Sequence, residues 1–290
     1  MTSTPTASRL PEHGAGNDAG EGKGRSTARA AAEPSVAQHD TEETFDRLLS
    51  EGVQRVGRSW TGLTATGLLG GFDIGLGVLA LLLVESYTHS TVLAGLAFAI
   101  GFLTLTISHS ELFTEDFLVP VTAVAAGRVR FRALMRLWGM TLVTNLVGGW
   151  VIMGIVMVAF PALRSVAIEA ASFYIHLGTT WIAFALAVLG GVAITLMTHM
   201  QHSTNSEGIR LVPAILMPFL LGVGKLNHAI VVSLLCFAAL QSGAPFGYAD
   251  WLGLLVLAIV GNIVGGVGIV TGLRLLQVLN KLLAARADNA

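Results

Sequence analysis

Apolar residues fall in six long runs along the chain, at roughly 60–84, 91–126, 134–160, 176–198, 210–241 and 251–276, with short polar or basic connectors between them. A helix needs roughly 20 apolar residues to cross a bilayer, and the runs are long enough to do so. Two of them are too long and too interrupted for one plain helix. The second contains HSELFTEDFLVP, residues 109–120, with Glu111, Glu115 and Asp116 inside six positions. The fifth contains Pro213, Pro218, Gly222, Gly224, Lys225, Asn227 and His228. Irregular backbone is tolerated at membrane depth only where protein buries it or where it lines a water-filled cavity. The pattern therefore predicts helix, broken helix, helix, and the same again.

Outside the runs the pattern changes. Residues 1–39 hold almost no large apolar side chain and predict a disordered tail, not a secretory leader. From Asp40, which has a capping-box spacing to Glu43, the residues Phe45, Leu48, Leu49, Val53 and Val56 share a helical face. A short amphipathic helix over 40–58 is expected, lying on the membrane surface or against the bundle. The spanning domain covers 59–276 and a C-terminal tail 277–290.

Composition agrees with an all-α integral membrane protein. Apolar residues make up 53% of the chain and mean hydropathy is +0.70, while Asp, Glu, Lys and Arg reach only 12%, half the soluble norm. A net charge of −1 gives no reason to expect a nucleic-acid partner. The single cysteine, Cys236, excludes an intrachain disulfide. With the N-terminus inside, the cytoplasmic flanks carry ten basic residues, four of them in Arg128–Arg136, and the opposite side carries Arg164 alone. Both termini are thus expected in the cytoplasm of an inner-membrane protein. Trp60, Trp138 and Trp251 suit interfacial anchors, and Trp150 and Trp181 suit packing.

The chain also repeats itself. TNLVGG, residues 144–149, and GNIVGG, residues 261–266, each follow an interrupted run. Thr114 lies 31 residues before Asn145, and His228 lies 34 before Asn262. Three passes is an odd number, so the second half must enter the membrane inverted. Paired broken helices in inverted halves point to a transport site near the midplane. The Gly pairs allow close helix approach. Asn145 and Asn262 can satisfy backbone groups freed by a break, or they can bond between helices.

SELFT (110–114) in the broken second run, an isolated His228 in the broken fifth, and NLVGG and NIVGG in the third and sixth resemble the formate/nitrite transporter family over roughly 45–276. The resemblance implies an aquaporin-like fold, a homopentamer in membrane lipid with one pore per protomer, and passage of small monovalent anions such as formate, nitrite or hydrosulfide. It puts the family's central threonine on Thr114 and its central histidine on His228. It puts the apolar constrictions on Phe98, Phe102, Leu112 and Phe113, with Leu221 and Ile194 opposite. A bare anion in a dry constriction bears a large desolvation cost that a neutral weak acid avoids, and a histidine titrates near physiological pH. His228 would supply the proton and Thr114 an orienting hydrogen bond.

Several residues depart from the family pattern. Glu115 and Asp116 stand where small or amide residues are usual, Asn227 stands where Glu precedes the histidine, and Lys225 where glycine is common. Val232 and Ser233 occupy the place of a further Asn, and Gly190–Gly191 that of a Cys-Asn pair. Lys225, alone between Lys23 and Lys281, is expected to pair with Glu115 or Asp116, or to snorkel elsewhere. The added carboxylates leave open an altered selectivity for a neutral or cationic solute, and a non-conducting sensor or scaffold. His199, His202 and Glu207 offer a weak metal alternative. The expectation is a channel, not an enzyme, with no cofactor and no metal.

Overall fold

The computed structural model describes residues 36–288, whose regular structure is helical throughout, and the tail expected at the N-terminus lies outside them up to residue 35. The first helix, α1, spans Val36–Val56. Nothing in Val36–His39 opposes a helix, so Asp40 lies inside α1 instead of capping it, and its carbonyl accepts a hydrogen bond from Thr44 Oγ1 at 2.9 Å. The buried face is Phe45, Leu48, Gly52 and Val56; Val53 turns outward, 42% exposed. A Cβ at Gly52 would stand 2.5 Å from the carbonyl oxygen of Val119, so glycine lets α1 lie directly on the backbone of a bundle helix. Helix α1 lies against the bundle, one of the two settings expected for it.

The bundle follows as α2 (Trp60–Thr88), α3 (Thr91–Ser108), α4 (Val119–Ala125), α5 (Phe131–Ala159), α6 (Arg164–Leu177), α7 (Trp181–His202), α8 (Glu207–Val223) and α9 (Ala229–Leu240). Then come α10 (Tyr248–Ile263), a π-helical segment Val264–Thr271 that leads into α11 (Gly272–Gln277), and α12 (Leu279–Ala287). Ser59, Ser90, Thr180 and Ser206 cap α2, α3, α7 and α8 by accepting the N–H three residues on. Among the described residues five helical stretches are long and apolar enough to cross a membrane: α2, α3, α5, α7 and α10 through α11. The fifth apolar run is divided between α8, of 17 residues, and α9, of 12, and the second between α3 and the seven-residue α4.

Three expectations are corrected here. Helix α6 was hidden in the connector before the fourth run. Ala167, Ala171 and Tyr174 form its buried stripe against the bundle, and Gly178, at φ +57°, ends it, so the fourth run begins at Trp181 and not at 176. The tail 277–290 is helical over Leu279–Ala287: Leu282 packs with Phe45 and Ala126, and Lys281 Nζ meets Asp46 Oδ2 at 2.6 Å, so α12 clasps α1. Four of the five tryptophans also trade places, while Trp60 stays on the surface, 58% exposed. Trp138 packs inward on Phe113 and Phe117 and Trp251 on Phe237, whereas Trp181 is 85% exposed and Trp150 46%.

Candidate functional site

The two broken runs meet inside the bundle, and one asparagine staples each break. Asn145 Nδ2 donates to the carbonyls of Gly67 (2.8 Å) and Glu111 (2.9 Å), and its Oδ1 accepts the N–H of Phe113 at 2.9 Å. Asn262 Nδ2 donates to the carbonyls of Ala187 (2.7 Å) and Asn227 (2.9 Å), and its Oδ1 accepts the N–H of Ala229 at 2.9 Å. Both asparagines are fully buried. The N–H groups of Glu111 and Asn227 donate to Thr66 and Leu186, each at 3.2 Å. A primary amide suits this place because one side chain both donates twice and accepts, and unpaired backbone groups are costly away from water.

The staples match atom for atom, and they fix the register of the repeat. Gly67 corresponds to Ala187, Glu111 to Asn227 and Phe113 to Ala229. Leu112 therefore corresponds to His228, two positions off the Thr114–His228 match that spacing alone suggests. The same register pairs Gly70–Gly71 with Gly190–Gly191. A Cβ at Gly71 would strike the carbonyl of Asn145, and one at Gly191 that of Asn262. The glycines that depart from the family pattern in the fourth run are thus the counterpart of a pair in the first, and the recurring Gly-Gly at 70, 148, 190 and 265 was the overlooked signal.

At the centre Thr114 Oγ1 and His228 Nε2 lie 2.6 Å apart, both fully buried. His228 caps α9, and its Nδ1 accepts the N–H of Val231 at 3.3 Å. A neutral imidazole has one donor and one acceptor nitrogen, so Nδ1 as acceptor leaves the proton on Nε2, which donates to Thr114. The threonine hydroxyl hydrogen is then free for a third partner. The ring of Phe102 stands edge-on to His228 at 6.4 Å and to Phe98 at 5.7 Å. Phe98, Phe102, Leu112, Phe113, Ile194 and Leu221 are all buried within one apolar cluster around this pair. Phe113 turns toward Phe117 (5.0 Å) and Trp138 (6.1 Å). Asn227 is buried with neither side-chain polar atom hydrogen-bonded, beside His228 in sequence.

Of the two expectations for Lys225, an ion pair with Glu115 or Asp116 does not occur among the described residues. Lys225 takes a left-handed turn at φ +46°, is exposed, and sets its ammonium 4.7 Å from the centroid of the Phe173 ring. The carboxylates of the other break meet arginines from the α1 end. Arg58 Nη1 lies 2.7 Å from Glu111 Oε1, whose Oε2 accepts from Thr66 Oγ1 at 3.0 Å. Arg55 Nη1 lies 3.5 Å from Asp116 Oδ1, and Thr141 donates to Asp116 Oδ2 at 3.3 Å. Arg136 Nη2 holds the α1–α2 connector through the carbonyls of Val56 (2.6 Å) and Arg58 (3.2 Å). Arg55, Arg58 and Glu111 line a cavity of about 890 Å³ that also reaches Glu115, His109 and Arg210. Asp73 is half-buried midway along α2, and its Oδ2 has no hydrogen-bond partner among the described residues.

Glu51 ties α1 down from the other side. It accepts from Arg55 Nε at 2.8 Å and meets His202 Nε2 at 2.8 Å, while His202 Nδ1 meets the carbonyl of Thr198. His202 is thereby committed, and no group of three His, Cys, Asp or Glu able to hold a metal occurs among the described residues. Burial works to raise the Glu51 carboxyl, but His202 and Arg55 outweigh it and hold it well below the usual carboxylate range. Burial likewise opposes the charge of Arg55, and the carboxylates of Glu51, Asp116 and Glu115 overcome it and raise its pKa. A depressed carboxylate stabilises the docked helix above its ordinary value of 4.5, and the stabilisation is lost as pH falls through the lower folded value. Glu51→Gln is therefore expected to lower amide-exchange protection across α1 several-fold at neutral pH, a state the wild type reaches only in acid. Equal protection in both proteins at pH 7 would contradict this latch.

Comparison with known proteins gives a consistent answer. Residues 42–276 match the family described as Formate/nitrite transporter. A curated relative, Inner membrane protein YfdC of Escherichia coli (strain K12), is 24% identical over 258 residues, covering 84% of this chain and 81% of that protein. Among solved structures, an FNT family ion channel aligns with a TM-score of 0.70 at 17% identity, over 80% of this chain and 97% of the other. A pentameric formate channel with formate bound aligns with a TM-score of 0.63 at 21% identity, over 74% and 95%.

Proposed function

Since this multi-pass membrane chain belongs to the formate/nitrite transporter family, we propose that it passes small monovalent anions of the formate or nitrite kind, one pore per protomer of a homopentamer, with proton transfer at His228. The observation that carries this reading is the 2.6 Å contact of Thr114 with His228, fully buried where the two breaks meet. An anion entering from the wet cavity reaches apolar walls where its charge is costly. Thr114 offers it the free hydroxyl hydrogen. His228 takes up a proton from the aqueous side at Nδ1, displacing the Val231 N–H, and gives its Nε2 proton to the anion. Reprotonation at Nε2 with loss of the Nδ1 proton restores the neutral imidazole that donates to Thr114. The neutral acid then crosses the apolar positions Phe98, Phe102, Leu112 and Leu221, with Ile194 opposite, which exclude water and hydrated ions. Phe113 has its own partners in Phe117 and Trp138 and serves as the wall behind Thr114. Asn145 and Asn262 are the structural residues of the breaks, and Glu111, Glu115, Asp116, Lys225 and Asn227 tune the approaches. On this reading the chain makes six passes with both termini in the cytoplasm of an inner membrane, a reading supported by the basic flanks and by the contact of α1 with α12.

The test is flux into proteoliposomes at several pH values, with formate, nitrite, acetate and hydrosulfide beside ammonium and urea. Anion flux is expected to rise as pH falls, because each unit increases the protonated fraction of a group titrating below that pH about tenfold. Uptake of ammonium or urea without any anion flux would sink the reading.

A further inference from the structure

The mouth of the cavity is built from two oppositely charged parts. Its α1 side, with the connector to α2, contributes Arg47, Arg55 and Arg58 against Glu51. Its bundle side contributes Glu111, Glu115 and Glu207 against Arg210. The α1 side therefore carries a net two positive charges and the bundle side a net two negative. Directly behind the bundle side lies Asp116, wholly buried.

The contacts show the cancellation to be specific. Glu111 and Asp116, with side chains 2% and 0% exposed, face Arg58 and Arg55, with side chains 33% and 13% exposed. Glu115 lines the same cavity as Arg55 and Arg58, and its side chain makes no hydrogen bond among the described residues. Without the α1 side, the break on the path to Thr114 presents bare carboxylates, an arrangement that attracts cations and repels anions. Sequence position reinforces the point: Glu115 and Asp116 immediately follow Thr114.

We infer that Arg55 and Arg58 are charge-selecting residues, which neutralise the carboxylates of the first break and so admit anions to the mouth, making α1 part of the selectivity apparatus. The inference rests on the anion reading above and adds the residues that make it compatible with Glu111, Glu115 and Asp116. It replaces the expected role of Lys225, which lies on the other break against Phe173.

The experiment measures formate and ammonium flux in proteoliposomes for wild type, Arg58→Gln, Arg58→Gln/Glu111→Gln and Glu115→Gln. Arg58→Gln is expected to lower formate flux roughly tenfold, the scale on which one nearby unit charge alters ion occupancy at intermediate dielectric. The double variant, equally unable to form the ion pair, is expected to recover wild-type flux within about twofold, since its mouth has regained its charge balance. A merely structural tether gives equal losses in both variants, and that result overturns the inference. Glu115→Gln, which breaks no hydrogen bond, keeps the test decisive if Arg58→Gln does not fold: formate flux should rise several-fold, and no change or a fall overturns the inference. If wild type passes formate but these patterns fail, the charge-selecting role falls and the anion reading stands. If wild type passes no anion and ammonium uptake appears in Arg58→Gln, the anion reading falls and the charge-selecting role stands. Silence of every protein toward both ions overturns both.

Discussion

His228→Ala is expected to remove the pH-dependent part of formate flux, lowering transport at pH 5–6 by about a hundredfold or more, the usual range for loss of a positioned proton-transfer group. The imidazole serves three neighbours at once. It meets Thr114 Oγ1 at 2.6 Å, accepts the N–H of Val231 at 3.3 Å, and packs edge-on against Phe102. Alanine leaves the Thr114 hydroxyl without its partner and gives the permeating anion no proton at the point where charge is hardest to carry. Thr114→Val tests the second half of the pair: the proton donor remains, the orienting hydroxyl is gone, and a smaller loss is expected with the pH dependence retained. The decisive readout is the pH profile. A His228→Ala protein that is monodisperse and still shows wild-type flux rising toward acid would remove proton transfer at this residue from the mechanism.

Asn262→Leu is expected to abolish the folded protein altogether, as would Asn145→Leu. Each substitution keeps an apolar side chain of similar size and deletes three hydrogen bonds. In Asn262→Leu the carbonyls of Ala187 and Asn227 lose a donor and the N–H of Ala229 loses its acceptor, all in the dry interior. Each orphaned group costs about 1–3 kcal/mol, so the sum approaches the whole stability of an ordinary domain. The check is the yield of monodisperse protein from membranes and its melting temperature. Because the two staples have the same atoms in the same roles, the two variants should fail alike. A well-folded Asn262→Leu beside a lost Asn145→Leu would mean that the halves are not held in the same way.

Much of this was legible in the sequence, and the misses have a common cause. Spans, breaks and Asn-Gly-Gly signatures are local patterns, because helix length and backbone satisfaction are imposed by the membrane along the chain. The pair of Thr114 and His228 came from resemblance and from the placement of both in interrupted runs. The partner of Asp116 was not legible, because Arg55 precedes it by 61 residues and reaches it only once α1 has folded back onto α4. Lys225 is the only lysine between Lys23 and Lys281, but a charge tally says nothing about the turn at φ +46° that sends it to Phe173. Helix α6 escaped because Arg164, Glu169 and His176 interrupt an otherwise apolar stretch, which hides a stripe of Ala167, Ala171 and Tyr174 visible only at a spacing of three to four.

The register set by the asparagines gives the two halves different duties. One frame has been written twice, and it holds leucine at 112 where it holds histidine at 228. On the proposed reading, substitution at 145 or 262 removes the fold itself, whereas substitution at 112, 227 or 228 leaves the fold and alters transport. Such a division leaves room for innovation. A lineage can exchange one cargo for another by editing a few letters in a break while its duplicated frame stays as it was, and the unusual residues at 115, 116, 225 and 227 all lie in or next to those editable lines.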